Sequence, residues 1–412
     1  MGRLREDAER IVRASIQRVL PDEAVRRALT GKDFGPGRLI AVAVGKAAWA
    51  MASAASETLG ERLDGGIVIT KYGHARGPIP RLVIREAGHP IPDEAGFAAT
   101  AEALRLTEDL RPEDTVLFLL SGGGSALFEA PLIEPEELRD VTGQLLACGA
   151  DIVEINTVRK RLSAVKGGRL AAHCAPAKLF GIVLSDVLGD PLDSIASGPA
   201  YPDGTTCAEA LAVAEKYGLR LSERARACLS RETPKRLDKV STEITGSVRE
   251  LCAAAADCCR ALGYEPVLLT DRLACEAREA GRFLGAIART HCDTDRPLAF
   301  LAGGETVVHV TGTGLGGRNQ EIALAAAAEI AGLPNAAVFS VGSDGTDGPT
   351  DAAGGFADGN TAAEMKANGH PAEAALRNND AYHALKSAGA LLVTGPTGTN
   401  VNDLSAVLIR PV

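Results

Sequence analysis

The chain has 412 residues, 46% of them hydrophobic, and a formal net charge of −9. That length accommodates roughly two or three cores of ordinary size, and two are expected here. An acidic chain excludes a general affinity for nucleic acid or an anionic membrane, both of which need a basic face, so any cationic site must be local.

The nine cysteines are scattered without a CxxC pair and read as thiols of a reducing compartment. The opening stretch MGRLREDAERIVRASIQRVL spaces its apolar residues as a surface helix and lacks the apolar core of a signal peptide. Gly2 suggests myristoylation, but Glu6 stands where that motif needs Ser or Thr. No apolar run reaches bilayer-spanning length, so the expected location is cytoplasmic.

Short apolar runs, glycine-bearing turns and Ala/Leu-rich helical segments alternate along the chain, the pattern of an α/β protein with a parallel sheet covered by helices. Strands are expected at 39–44, 65–70, 81–86, 115–120 and 179–185, then at 265–270, 297–303, 306–312, 336–342 and 390–395. The run PLAFLAGGETVVHVTG reads as two strands joined at Gly303-Gly304 in a hairpin, which makes the second sheet mixed. Residues 202–246 are polar with no strong strand. The boundary falls there, giving an N-terminal domain over 1–240 and a C-terminal domain over 241–412.

Open α/β sheets collect ligands at the carboxyl ends of their strands, so the polar residues that follow each strand carry the functional signal. After the first strand comes Gly45-Lys46, a cation at a helix start that needs an anion to balance it unless it reaches solvent. After the fourth comes Ser121-Gly122-Gly123-Gly124-Ser125, whose N–H groups can curl around a phosphate or carboxylate or simply make a tight turn. It is not a Walker A loop, because no Lys-Ser/Thr follows. The run NTVRKRLSAVKGGRL concentrates Arg159, Lys160, Arg161, Lys166 and Arg169, normally a solvated helix face, and leads to a strand ending in Asp186, with Asp190 and Asp193 behind it. Carboxylates at a strand end hold a hard cation or accept a hydroxyl proton.

In the second half, Gly312, Gly314 and Gly317 formally spell GxGxxG. The acidic residue a dinucleotide site wants about 20 positions on is late, at Asp344. Arg318 follows the glycines and can clamp a carboxylate or phosphate, with Glu305 expected to face the same cleft. Asp344, Asp347 and Asp351 share one glycine-rich loop, where three carboxylates repel unless a cation or a Lys/Arg lies between them. The spacing is not that of an EF-hand, so Mg²⁺ or substrate hydroxyls are expected. Thr397, Thr399, Asn400, Asn402 and Asp403 fill a last loop suited to a polyol or nucleotide. His74 and His89 read as surface or supporting residues.

Taken together, VGKAAWAM, LLSGGGSAL, NTVRKRLSAVKGGRLA, GIVLSDVLGDPLDSIASGP, GGRNQEIAL, GSDGTDGPTDAAG and TGTNVNDL, in that order over nearly the whole chain, resemble the type 2 glycerate kinases. Members of that family once carried the name hydroxypyruvate reductase, and their C-terminal part is called the MOFRL domain. The resemblance implies ATP-dependent phosphorylation of D-glycerate at the C2 hydroxyl to 2-phosphoglycerate, with Mg²⁺ as metal, by two α/β domains around a cleft: an N-terminal Rossmann-like parallel sheet and a C-terminal mixed sheet. It places Lys46, Arg318, Asp186 and Asp190 in catalysis. Ser121 to Ser125, Lys166, Glu305, Gly316, Gly317, Asn319, Asn400 and Asn402 then bind substrate or nucleotide, and Asp344, Asp347 and Asp351 hold metal. The expected partners are small molecules, glycerate and ATP, with a homodimer compatible. The competing reading is an NAD(P)H-dependent hydroxypyruvate reductase.

Overall fold

The computed structural model describes residues 2–411, which divide into two compact units. One unit comprises Ala24–Leu184 and Asp190–Thr245; the other comprises the stretch up to Glu23, Ser185–Gly189 and everything from Gly246 onward.

In the first of these, β1 (Leu39–Val44), β2 (Gly65–Lys71), β3 (Leu82–Ala87), β4 (Thr115–Leu120), β5 (Lys178–Leu184) and β6 (Val240–Gly246) form a parallel sheet in the order β3-β2-β1-β4-β5-β6. Every residue of β1 and β4 is buried. Unbroken runs such as LIAVAV and TVLFLL are what a sheet covered on both faces demands. The chain builds outward from β1 to β3, then returns to lay β4 on the other side of β1. The loops after β1 and β4 therefore part at the point where doubly wound sheets hold their ligands.

The second unit contains β7 (Glu265–Leu273), β8 (Leu298–Gly304), β9 (Ala336–Gly342), β10 (Gly354–Asp358), β11 (Leu391–Leu392) and β12 (Asp403–Ile409), in the order β11-β10-β9-β12-β8-β7. Only β7 and β8 pair in parallel; the other four pairings are antiparallel, so this sheet is mixed.

The hairpin expected at Gly303-Gly304 does not form. The antiparallel partner of β8 is β12, in register from Asp403 opposite Gly304 to Ile409 opposite Leu298. Residues 306–312 leave the sheet, keeping a single bridge from Val307 to Glu276. The strand expected over 390–395 shrinks to Leu391–Leu392, because Gly395-Pro396 cannot continue a ladder. In the stretch read as lacking a strand, VSTEITG forms β6 at the sheet edge, where half-exposed Ser, Thr and Glu carry no apolar signal.

The first helix, Arg3–Arg18, joins the second unit although a cut at residue 240 assigns it to the first. Ala8, Ile11, Val12 and Ile16 enter one core with Val248, Leu251, Ala299 and Leu301. Asp7 on the same helix accepts hydrogen bonds from Tyr264 (2.7 Å) and Arg410 (2.8 Å).

The basic run at the end of helix Ile152–Arg161 is not a solvated face: Lys160, Arg161 and Lys166 are among the largest fully buried side chains of the protein. Lys160 Nζ lies 3.1 Å from the buried Asp203 carboxylate, and Arg161 donates to the Thr157 and Thr205 carbonyls at 2.8 and 2.7 Å. Lys166, expected at a ligand, instead donates to Glu129 Oε2 at 2.6 Å and to the Phe128 carbonyl at 3.0 Å. Burial pushes its ammonium down to about 8 against the pull of Glu129. Removing one partner leaves a buried charge uncompensated. Glu129→Ala is expected to cost about 3–5 kcal/mol in urea unfolding, and the double replacement Glu129→Leu/Lys166→Met much less.

Candidate active site

In the parallel-sheet unit the turns after β1 and β4 are pressed together. Gly45 has φ 121°, and a Cβ there would collide with Ser121 Oγ. Ser121 is buried and accepts from the Ala47 N–H at 3.0 Å, and the Lys46 N–H donates to the Gly122 carbonyl at 2.9 Å. Ser121 thus splices the two turns, and its hydroxyl is committed to that task. The Lys46 carbonyl accepts Nδ1 of His74 at 3.0 Å, while its half-buried ammonium forms no ion pair among the described residues.

Gly123 has φ 87° and lies where an added Cβ would stand 3.0 Å from His89 Nε2 and 3.3 Å from Lys46 Cγ. The triple glycine therefore admits His89 and Lys46 to the same spot. Ser125, in the short helix Gly124–Leu127, stands 3.3 Å from Ser197 Oγ, which donates to Asn156 Oδ1 at 2.9 Å. Arg159 reaches the Ser125 carbonyl at 3.2 Å.

The loop following β5 is bent hard: Asp190, Ala196 and Ser197 have φ of 53°, 51° and 60°. Each such non-glycine residue costs on the order of 1–3 kcal/mol, and strain of this kind gathers at functional sites. Asp190 belongs to the same unit as Lys46, and its buried Oδ1 has no hydrogen-bond partner among the described residues. Asp186, expected beside it, belongs with Ser185–Gly189 to the other unit, where its carbonyl accepts from Asn402 Nδ2 at 3.3 Å. His74, His89, Asn156 and Ser197 were not singled out for the site by sequence. The SGP that follows the aspartate-rich run offered a signal for the bent loop, whereas nothing in the sequence linked the two histidines to Lys46.

In the mixed-sheet unit, Arg318 opens helix Arg318–Glu329 and grips Asp403 with two N–H groups, at 2.6 and 3.0 Å, and Glu305 with a third at 3.0 Å. Its fork is therefore already closed on the protein's own carboxylates. Burial opposes its charge, but Asp403 and Glu305 outweigh burial and hold the guanidinium above the ordinary arginine range. Burial pushes the Asp403 carboxyl up to about 6, with Arg318 pulling the other way. Asn402 donates to Glu305 Oε2 at 3.2 Å, and Asn400, exposed, accepts from the Asn402 N–H at 3.4 Å.

The three aspartates expected to hold metal are not one cluster. Asp347 is buried and accepts the N–H groups of Asn319 (3.1 Å) and Gln320 (2.8 Å), capping helix Arg318–Glu329. Gly317 allows this approach, since a Cβ there would meet the Asp347 carboxyl. The anion held beside Gly317 is thus Asp347 itself, bound by the amides of Asn319 and Gln320. Asn319 is committed to Asp347 and Ser340. Asp351 accepts from Tyr382 Oη at 2.7 Å, while among the described residues Asp344 Oδ1 takes only the Thr346 N–H at 3.0 Å. Among the described residues no group of three or more His, Cys, Asp or Glu is placed to hold a metal ion.

The GxGxxG segment is no phosphate loop. The N–H groups of Thr311 and Gly312 donate to Asn379 Oδ1, that of Gly314 to the Asn378 carbonyl, and that of Leu315 to Asp380 Oδ1. Beyond it opens a cavity of about 810 Å³ lined by Glu305, Val307, Val310, Arg318 and Asp344 among others.

Two family models match: a domain of unknown function, DUF4147, over residues 7–230, and the MOFRL family over residues 298–403. A D-glycerate 2-kinase of Thermotoga maritima is 53% identical over 98% of both chains. A crystal structure of a glycerate kinase from that organism superposes with a TM-score of 0.94 over 98% of this chain and 99% of the other. The chain belongs to the glycerate kinases of the MOFRL family. A protein of Agrobacterium vitis named as a putative hydroxypyruvate reductase is 42% identical over 90% of this chain and 87% of its own.

Asp403 gives this member of the family a pH signature. Because its carboxyl titrates higher in the folded chain than in the unfolded one, the stability it contributes is complete below the ordinary carboxylate value of 3.8 and is lost as pH rises through about 6. Infrared titration is expected to show a carboxyl protonating near that upper value, and Asp403→Asn is expected to remove it.

Proposed function

We propose that the protein transfers the terminal phosphoryl group of ATP to the C2 hydroxyl of D-glycerate, giving 2-phosphoglycerate and ADP. The observation that carries this reading is Lys46, whose ammonium has no carboxylate partner among the described residues and whose Cγ lies beside the triple glycine of the β4 turn. Phosphoryl transfer asks for charge neutralisation and alignment more than for a strong base, and a lysine held next to backbone N–H groups supplies the first. Lys46 and the Gly122 to Gly124 turn are assigned to an anionic group of the substrates. Asp190, whose buried oxygen lacks a partner, is assigned to orient the C2 hydroxyl and accept its proton. Arg318 retains N–H groups beyond the three bound to Asp403 and Glu305, and these are assigned to an anion at the edge of the cavity. Attack at C2 rests on the family resemblance.

The donor set bears on Mg²⁺. This ion binds through one or two carboxylates plus substrate phosphates, without a full protein cage. Asp344, on the cavity wall with a single N–H partner, suits that mode, whereas Asp347 and Asp351 are occupied. The ion would supply neutralisation of phosphate charge. The reductase reading has relatives' names behind it but no dinucleotide loop, since the amides of Thr311, Gly312 and Leu315 are consumed internally. All nine cysteines are free thiols, which supports a place in the reducing cytoplasm. No described helix is long and apolar enough to cross a membrane.

A coupled assay tests the reading. Enolase alone is expected to convert the product and give signal; a signal that requires phosphoglycerate mutase as well moves the phosphate to C3. Lys46→Ala and Asp190→Asn are each expected to lower kcat/KM by about a hundredfold or more, on the scale of losing a charge-stabilising or proton-accepting group. Unaltered turnover in both would remove this site assignment.

A further inference from the structure

The cavity of about 810 Å³ in the mixed-sheet unit has a wall that neither Lys46 nor Arg318 explains. Val307 and Val310, both on its lining, are 63% and 72% exposed. They stand on a segment pinned at both ends. The Val307 N–H donates to the Cys275 carbonyl at 3.0 Å and its own carbonyl accepts from Ala277 at 2.8 Å, while Gly314 and Leu315 are bonded to Asn378 and Asp380 at 2.9 and 3.0 Å. The valines are thus held open to solvent by a fixed rim, and neither can fold away. Two apolar side chains kept exposed over one cavity gain free energy from any ligand that covers them.

The polar part of the same cavity is acidic. Glu305 and Asp344 line it, and its cation Arg318 is already bound to Glu305 and Asp403. A bare polyphosphate laid against Glu305 meets like charge, whereas a hydroxyl group can donate to that carboxylate. The ligand portion that fits is therefore neutral, with an apolar planar face and vicinal hydroxyls. Glycerate has no apolar face to offer. On the reading that the protein is an ATP-dependent kinase, we infer that this cavity takes the nucleoside end of the nucleotide, with the purine against Val307 and Val310 and the ribose hydroxyls toward Glu305. The volume lies in the range of about 300–1,000 Å³ usual for ligands of that size.

Adenosine, which carries no phosphate, is the probe. It is expected to bind the wild-type protein in calorimetric titration and to inhibit competitively against ATP but not against glycerate. Val310→Asp and Val307→Asp, at exposed positions whose folding is checked by thermal melting, are expected to raise the KM for ATP about tenfold and weaken adenosine binding equally, leaving the KM for glycerate within about twofold. Val310→Thr, nearly the same in shape, is expected to fall between. Absence of adenosine binding, an unchanged KM for ATP in both aspartate variants, or a rise confined to glycerate would each overturn the inference. The titration needs no turnover. A wild-type protein that binds adenosine at Val310 yet phosphorylates no glycerate would sink the kinase reading and leave the cavity assignment standing.

Discussion

The contact on which the candidate site depends is the one between the turns after β1 and β4. Gly45 and Ser121 approach so closely that only a hydrogen atom fits on the glycine, and the Ser121 hydroxyl then holds the Ala47 amide. That splice fixes where the helix after β1 begins, and with it the direction in which Lys46 leaves the backbone. The strand order makes the approach possible, because β1 and β4 are neighbours in the sheet. The second and third glycines of the β4 turn extend the same device, admitting Lys46 and His89.

Charge in this acidic chain is sorted by partnership. Lys160, Arg161 and Lys166 lie in the interior and are matched by Asp203, Glu129 and backbone carbonyls. They pin helix Ile152–Arg161 beneath the strained loop that carries Asp190 and Ser197. Arg318 is matched by Asp403 and Glu305 at the rim of the cavity. Lys46 alone among these cations has no acidic partner within the described residues. Cations of similar sequence character therefore divide into struts and a candidate anion site, and partnership separates them.

Sequence made the fold class legible because buried parallel strands are apolar without interruption, and nine of the ten expected strands stand where the runs indicated, one of them cut to Leu391–Leu392. It misled at residues 306–312, where TVVHVTG has strand composition but loses its place to β12, nearly a hundred residues further on. Long-range competition of that kind leaves no local trace. At the site, glycines and cations at strand ends marked the right turns, while the carboxylates were harder. Asp347 and Asp344 share a loop and a residue type, yet one caps a helix and the other faces a cavity. Which does which depends on the helix start at Arg318, remote in sequence. The basic run misled for the mirror reason, since Asp203 and Glu129 lie far along the chain from the lysines they neutralise.

The central place of β12 in the second sheet bears on the order of folding during synthesis. Its residues, 403–409, are made after those of β8 and β9, yet they join the two. Helix Arg3–Arg18, made well before β12, covers that same sheet. Until β12 is made that helix has no completed surface to settle on, while Ala24–Leu184 can lay down its five strands as they emerge. The growing chain thus carries an uncovered amphipathic segment until β12 is added, a natural client for whatever shields apolar surface at the ribosome exit, and that helix and β12 finish folding together.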